Sequence, residues 1–403
     1  MPPVKPATFV ELCSGLGGMG AGLQEAGWQC LSAIDSDPIA VEAHRRFNST
    51  STQADVCSLK SEDVPESSLI AAGFPCQPFS SSGNRQGFEH TSGHVFLGVH
   101  RLVVANRPRL VLFENVFGLI ANKRGNTFAE ILSLLCGSGY RVEWFMLDLS
   151  WFGIPQTRPR LFVVGYLPNE VASNQTTRSA KQFLFEDMQA QPVFMEWFRE
   201  HFKANFDSAG DGSLTEVRSS TKPEIGKAMS LIPCPFTGYG VAEDDSYWCF
   251  DCVGSHVEPQ SVQLGDIVAP NFKERSKVRS GRYYARGKPT ALYLRHDAMS
   301  HCVGTSLGGA PLYATPLRDL RSSRDKKAFL EFANWNREEG DNHVMRLTPE
   351  RAIHLFGTVR ASELEQAVAS VDCSLVAKYR LVGNLVSPTV TAWLGRRIKE
   401  TFL

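Results

Sequence analysis

FVELCSGLGGMG, residues 9–20, decides the architecture. Ala7 to Leu12 is an apolar strand candidate, a glycine-rich loop follows, and Met19 to Ala26 has a helical pattern that Gly27 is placed to cap. Gly15, Gly17 and Gly20 fit a strand–G-x-G-x-x-G–helix arrangement. Glycine lets the backbone approach a ligand closely, and the helix start offers free N–H groups. Asp35 lies twenty residues after Gly15 at the end of the next strand candidate, Cys30–Ile34, where a carboxylate can accept hydrogen bonds from ribose hydroxyls. This pattern suits NAD, FAD and S-adenosylmethionine alike.

The same rhythm runs outward from this loop. Asp37 and Pro38 form an N-cap and first-turn pair for a helix through Phe47. Leu69–Gly73, Leu110–Phe113, Arg141–Leu149 and Leu161–Tyr166 read as strands, with a helix over Thr127–Leu135. Alternation of this kind predicts an α/β fold with a doubly wound, mostly parallel sheet and helices on both faces. Ligands of such sheets bind beyond the carboxyl ends of the strands. After Pro168 the rhythm is lost. The segment to about 375 reads as a smaller, irregular domain, and from Lys378 a loop leads into a helix carrying Val390, Trp393, Leu394 and Ile398. The expected division is 1–170, 171–375 and 376–403.

Composition narrows the class. No apolar run is long enough for a membrane span, and Met1–Thr8 lacks the apolar stretch of a secretory signal, so an intracellular protein is expected, nuclear or cytoplasmic according to its source. The ten cysteines then read as free thiols. Net charge is zero, which excludes a uniformly basic protein, but Asn271–Ala328 holds thirteen Lys or Arg against four Asp or Glu. A local excess of this kind suits one face that meets phosphates, or a solvated surface.

Three further stretches fall at strand ends. GFPCQPFSSSG (73–83) sets Cys76 between Pro75 and Pro78, which stiffen the loop presenting the thiol. A thiolate is a nucleophile wherever its surroundings lower its pKa. FENV (113–116) places Glu114 at the end of a strand, where a closed pocket can keep a carboxyl protonated. In GIPQTRPRLF (153–162), Arg158 and Arg160 alternate and so share one face, suited to phosphate or carbonyl oxygens. Each of these stretches alone also suits a buried thiol, a cap or a surface arginine.

Taken together and in order, FVELCSGLGGMG with Asp35, then Asp55, GFPCQPFSSSG, FENV, QTRPR, RLTPERAIHLFG (346–357) and GNLVSPTV (383–390) resemble the cytosine-5 DNA methyltransferase family. The resemblance implies a Rossmann-like methyltransferase domain with a mixed sheet, a variable target-recognition region between QTRPR and RLTPERA, and S-adenosylmethionine as cofactor. It implies that a cytosine is flipped out of its stack. Cys76 then attacks carbon 6 of the ring, Glu114 serves ring nitrogen 3, Arg160 contacts oxygen 2, and Arg158 holds the nucleophile loop or a phosphate. Leu12, Ser14, Gly15, Leu16, Gly17, Gly18, Asp35, Ser36, Asp55, Phe74, Pro75 and Asn384 would form the cofactor pocket, with Asp35 on the ribose, Asp55 on the adenine amino group and Asn384 completing it.

Duplex DNA is the expected partner and a monomer the expected state. A transfer-RNA branch of the family is the alternative: Cys302-Val303-Gly304-Thr305 loosely resembles its Cys-Phe-Thr signature, although a glycine intervenes and Phe74 stands where that branch has a proline. An NAD-dependent oxidoreductase would leave PCQPF, ENV and QTRPR unexplained, and a non-catalytic scaffold would have no reason to keep the whole set. Cys234, Cys249, Cys252 and His256 are spaced irregularly for a zinc site, and no metal is expected.

Overall fold

The computed structural model describes residues 7–75, 91–116, 118–121, 126–156, 158–168, 302–304 and 344–403, and the strand backbones at 206–208, 215–219, 238–243, 246–251, 281–285, 288–294 and 311–314. Cys76, the other residues of its loop up to 90, and Cys234, Cys252 and His256 lie outside these residues, as does most of the basic stretch.

Strands β1 (Thr8–Leu12), β2 (Gln29–Asp35), β3 (Ser51–Gln53), β4 (Leu69–Ala72), β5 (Leu110–Val116), β6 (Arg141–Asp148) and β7 (Pro159–Tyr166) lie in the order β3-β2-β1-β4-β5-β7-β6. β3, β2, β1, β4 and β5 pair in parallel, whereas β7 runs antiparallel between β5 and β6. The mixed, mostly parallel sheet is thus as expected. It continues from β6 into four of the middle segment's strands, in the order Gly238–Glu243, Ser246–Asp251, Thr215–Ser219 and Phe206–Ser208.

Alternate residues of each strand supply opposite faces. Phe9, Leu69, Ala71, Leu110, Leu112, Phe145 and Phe162 join one core, while Val10, Leu12, Ile70, Val111, Phe113, Trp144 and Leu161 join the other. Helices α1 (Gly18–Glu25) and α2 (Pro38–Arg45) cover the first face. Asp37 caps α2 by accepting a hydrogen bond from the Ile39 N–H at 3.0 Å, and Pro38 takes its first position.

The second face is covered by α3 (Thr91–Asn106) and α5 (Asn126–Gly137), with the short α4 (Gly118–Ala121) between them. α3 is not among the expected elements, although Phe96, Val99, Leu102 and Val103 are buried at helical spacing. Exposed Leu97 and Val104 blur its apolar stripe.

The chain returns to the first face in α6 (Pro349–Ala352), α7 (Ala361–Ser370), α8 (Leu375–Gly383) and α9 (Pro388–Phe402). Leu347, Ile353, Leu355, Leu364 and Val368, which the expected division places in the middle domain, are buried in the same core as Phe9. The loop expected from Lys378 is instead the end of α8. Ser374 caps that helix through the Ala377 N–H, and Tyr379, Leu381 and Val382 are buried. α1 and α9 approach until the hydrogen of Gly22 is all that fits: a Cβ there would strike Thr391, the Pro388 carbonyl and the Ala392 amide. Trp28 Nε1 donates to the Gly395 carbonyl at 3.0 Å beside this contact.

Under α1 lies one costly group. Glu11 is buried and one carboxyl oxygen has no partner. Desolvation, opposed by a backbone N–H from Gly20 and assisted by Asp35, raises its pKa from 4.5 to about 8. A carboxyl whose folded pKa is raised contributes stability that is complete below its unfolded pKa and is lost as pH rises through the folded value. The contribution of Glu11 to stability is therefore expected to fall between pH 4.5 and 8, with a slope of about 1.4 kcal/mol per pH unit in the middle of that window. Glu11→Gln should flatten that slope in thermal melts taken across about pH 5–9. Equal slopes in the two proteins would show that Glu11 folds already ionised.

Candidate active site

The register brings the motif loops to one edge. Leu12 pairs with Ile34 and Ala72, and Ala72 pairs with Phe113. The chain after β1, β2, β4 and β5 therefore emerges side by side, with the glycine loop between Ser36 and the Gly73–Pro75 segment, and Glu114 beyond. This is the carboxyl edge at which such sheets bind ligands.

The glycine loop is braced from below. Asp35 accepts a hydrogen bond from the Gly15 N–H at 2.7 Å and another from the Asp37 N–H at 2.8 Å. Desolvation raises its pKa against the pull of those donors. Gly17 sits at φ 84°, and any side chain there would run into the imidazole of His44. His44 is held neutral by burial and then by Arg360, with its pKa lowered to about 4, and Asn48 Nδ2 approaches its Nε2 at 3.2 Å. The Val386 carbonyl and the Leu385 side chain face Gly18, so the GNLVSPTV segment closes over the loop from the chain's other end.

The loop has room and donors for a nucleoside ligand. Space is open beside Gly15, and the buried hydroxyl of Ser14 has no protein partner. Each Asp35 oxygen that takes one N–H retains acceptor capacity for a hydroxyl. Asp55 follows β3, next to Asp35, and its side chain accepts from the Cys57 N–H at 2.9 Å. The side chains of Leu12, Leu16 and Phe74 are buried in the core, so these positions offer a ligand their backbone. Pro75 and Asn384 are exposed, and Asn384 caps the end of α8.

Glu114 and the arginines form the second half of the site. Arg160 Nε lies 3.2 Å from Glu114 Oε1, both side chains being largely buried. Burial pushes the Glu114 pKa up, and Arg160 and then Arg158 pull it back without cancelling the rise. Arg158 is buried over the Phe356 ring at 4.7 Å. It donates to the carbonyls of Val303 (3.2 Å), Gly383 (2.7 Å) and Leu385 (3.2 Å) and to Cys302 Sγ (3.0 Å). It thus binds the 302–303 segment and the chain's C-terminal return to the sheet.

Three residues outside the expected set act here. Asn115 Nδ2 donates to the Phe74 carbonyl at 3.2 Å and so fixes the chain two residues before Cys76. Gln156 Nε2 donates to the Leu355 carbonyl, and Gln156 Oε1 accepts from the Val303 N–H at 3.1 Å. Both stand inside motifs that draw notice for their charged neighbours. The third is Cys302, whose sulfur also takes a hydrogen bond from Arg160 Nη2 at 3.5 Å.

A family model described as C-5 cytosine-specific DNA methylase matches residues 7–400. The chain belongs to this family. The Type II methyltransferase M.BsuFI of Bacillus subtilis is 35% identical over 162 residues, 40% of each chain. M.BanI of Aneurinibacillus aneurinilyticus is 38% identical over 165 residues, 40% of this chain and 38% of that relative. The match thus spans about two fifths of the length of these curated relatives. Among solved structures, the Entamoeba histolytica methyltransferase EhMeth superposes with a TM-score of 0.61 at 14% identity, covering 98% of this chain and 99% of the other. The S. pombe Dnmt2 methyltransferase gives 0.57 at 17% identity over the same shares. At such identities the likeness shows a shared fold, that of a Rossmann-like methyltransferase.

Replacing Arg158 tests its role as a clamp. Lysine keeps the charge but cannot fan out to four acceptors, and carbonyls would be left buried without donors. Arg158→Lys should lower the free energy of unfolding in urea by about 3 kcal/mol. A loss below about 0.5 kcal/mol would place those carbonyls within reach of water.

Proposed function

We propose that this protein is a DNA (cytosine-5)-methyltransferase that works through a covalent adduct on Cys76. What carries the reading is the buried Glu114–Arg160 pair, one strand from the Gly73–Pro75 segment that leads into Cys76. A cytosine ring resists nucleophilic attack until its nitrogen 3 is protonated. The pocket therefore needs a thiolate and a proton donor together. Glu114 is suited to the second task because burial favours its protonated form.

In this mechanism the Cys76 thiolate forms a bond to carbon 6 of the flipped cytosine, and the displaced electron pair reaches nitrogen 3, which takes the proton of Glu114. Arg160 donates to oxygen 2 of the ring. Carbon 5 is now nucleophilic; the glycine loop, Asp35, Asp55 and the Asn384 segment would hold S-adenosylmethionine, which would supply an electrophilic methyl group there. Loss of the carbon-5 proton to solvent restores the ring double bond and expels Cys76 as thiolate, while nitrogen 3 returns its proton to Glu114. Asn115 holds the Phe74 carbonyl, two residues before Cys76, by a hydrogen bond.

Duplex DNA is the substrate that the segment between Pro168 and Arg346 suits. Its basic stretch, Asn271–Ala328, would supply phosphate contacts, and base choice would come from other side chains of the segment.

Incubation with methyl-labelled S-adenosylmethionine and either duplex DNA or total transfer RNA tests this reading. Label is expected in DNA cytosine, lost with Cys76→Ala and reduced about a hundred-fold or more with Glu114→Gln. Label confined to RNA would keep the chemistry and move the substrate. No label in either, with the cofactor bound, would overturn the catalytic reading.

A further inference from the structure

Two guanidinium groups beside one carboxyl pose a problem for the proposed proton donor. Arg160 lies 3.2 Å from Glu114, and Arg158 adds a second positive charge behind it. Both favour ionised Glu114, which has no proton to give. Cys302 is the group placed to oppose them. Its sulfur lies 3.0 Å from Arg158 Nη1 and 3.5 Å from Arg160 Nη2.

We propose that Cys302 is a positioning residue of the active site: its sulfur, as thiolate, shares the charge of Arg158 and Arg160 and so leaves the proton on Glu114. This rests on the methyltransferase reading for its catalytic consequence, but the charge state of Cys302 is a property of the chain by itself.

The geometry supports a thiolate at this position. Val303, the next residue, has its N–H held by Gln156 and its carbonyl by Arg158, which fixes the backbone beside Cys302. Partial burial opposes ionisation of the thiol. The charges of Arg158 and Arg160 and their hydrogen bonds to the sulfur outweigh it and bring the pKa from 9.0 down to about 7. Among the described residues, Arg158 and Arg160 are the charged groups that act on Cys302, and Glu114 lies beyond them. Enough of Cys302 faces solvent for a reagent to reach it.

The consequence is a matter of charge rather than of shape. Without the thiolate, the two arginines act more strongly on Glu114, and its proton is lost at a lower pH. The alkaline limb of the rate profile then moves toward neutrality. A group that restores negative charge should reverse the change, and one that restores only a hydrogen bond should not.

Site-resolved alkylation with iodoacetamide, read by peptide mass spectrometry, tests the charge state first. Cys302 of the wild-type protein should be half-maximally reactive near pH 7, and Arg160→Met should move that point toward the ordinary thiol value of about 8.5. An ordinary titration in the wild-type protein overturns the proposal whatever substrate the enzyme uses. Single-turnover methyl transfer across about pH 6–10 tests the consequence. Cys302→Ala and Cys302→Ser should lose about ten-fold or more at about pH 8.5, with an alkaline limb shifted to lower pH, while KM for DNA changes less than about two-fold. Cys302→Asp should recover the limb. Equal profiles for wild type and Cys302→Ala, or recovery by serine as complete as by aspartate, would overturn it. Failure of the wild-type protein to label any nucleic acid would instead remove the methyltransferase reading, and the alkylation result would stand apart from it.

Discussion

The site depends on one buried guanidinium. Arg158 is taken out of water and keeps its charge, since burial lowers its pKa only to about 10. A charge in that position is tolerable only if its donors are met. The acceptors come from segments far apart in the chain: Val303 within the middle segment, and Gly383 and Leu385 where α8 gives way to the turn before α9. The arginine therefore fixes the C-terminal return of the chain against β7. Because that return also lies over Gly18, the same contact sets the roof of the glycine loop. The glycine loop and the Glu114–Arg160 pair are thus braced by a single residue.

This explains why QTRPR works as a unit. Gln156 and Arg158 both spend their polar atoms on the 302–303 segment and on the C-terminal return. Arg160, two residues on, is left facing Glu114. Alternation along the chain puts Arg158 and Arg160 on one side, and Cys302 touches both. One arginine is structural and the next is turned to the pocket, and the sulfur between them couples the two tasks.

Much of this was legible in the sequence. Asp37-Pro38 announced the start of α2, and six of the seven strands of the first 170 residues were readable because each is a short apolar run bounded by turn residues, whereas β3, the polar Ser51–Gln53, was not. The edge on which Asp35, Asp55, Phe74 and Glu114 meet followed from the alternation of strands and helices. What stayed hidden had physical causes. α3 and α8 carry apolar residues on exposed as well as buried faces, Leu97 and Val104 in one and Leu375 and Val376 in the other, so no clean period marks them. The partners of Arg158 are backbone carbonyls up to 227 positions away, and a carbonyl has no signature in a sequence. Asn115 and Gln156 act through the same kind of bond. Cys302 stands out in the sequence for its neighbours in the chain, whereas its importance lies in its neighbours in space.

The site also illustrates how one environment can shift two acids in opposite directions. Glu114 and Cys302 flank the same arginines. Positive charge favours the anion of each, but burial opposes it, and the balance differs between them. The carboxyl, enclosed and paired with Arg160 through one oxygen, is pushed toward its neutral form. The thiol accepts hydrogen bonds from both guanidinium groups and is drawn toward its anion. The stronger acid is thus made weaker and the weaker one stronger, so that the two are drawn together from their ordinary separation. Two fixed positive charges, distributed unequally between two acceptors of unequal burial, are enough to do this.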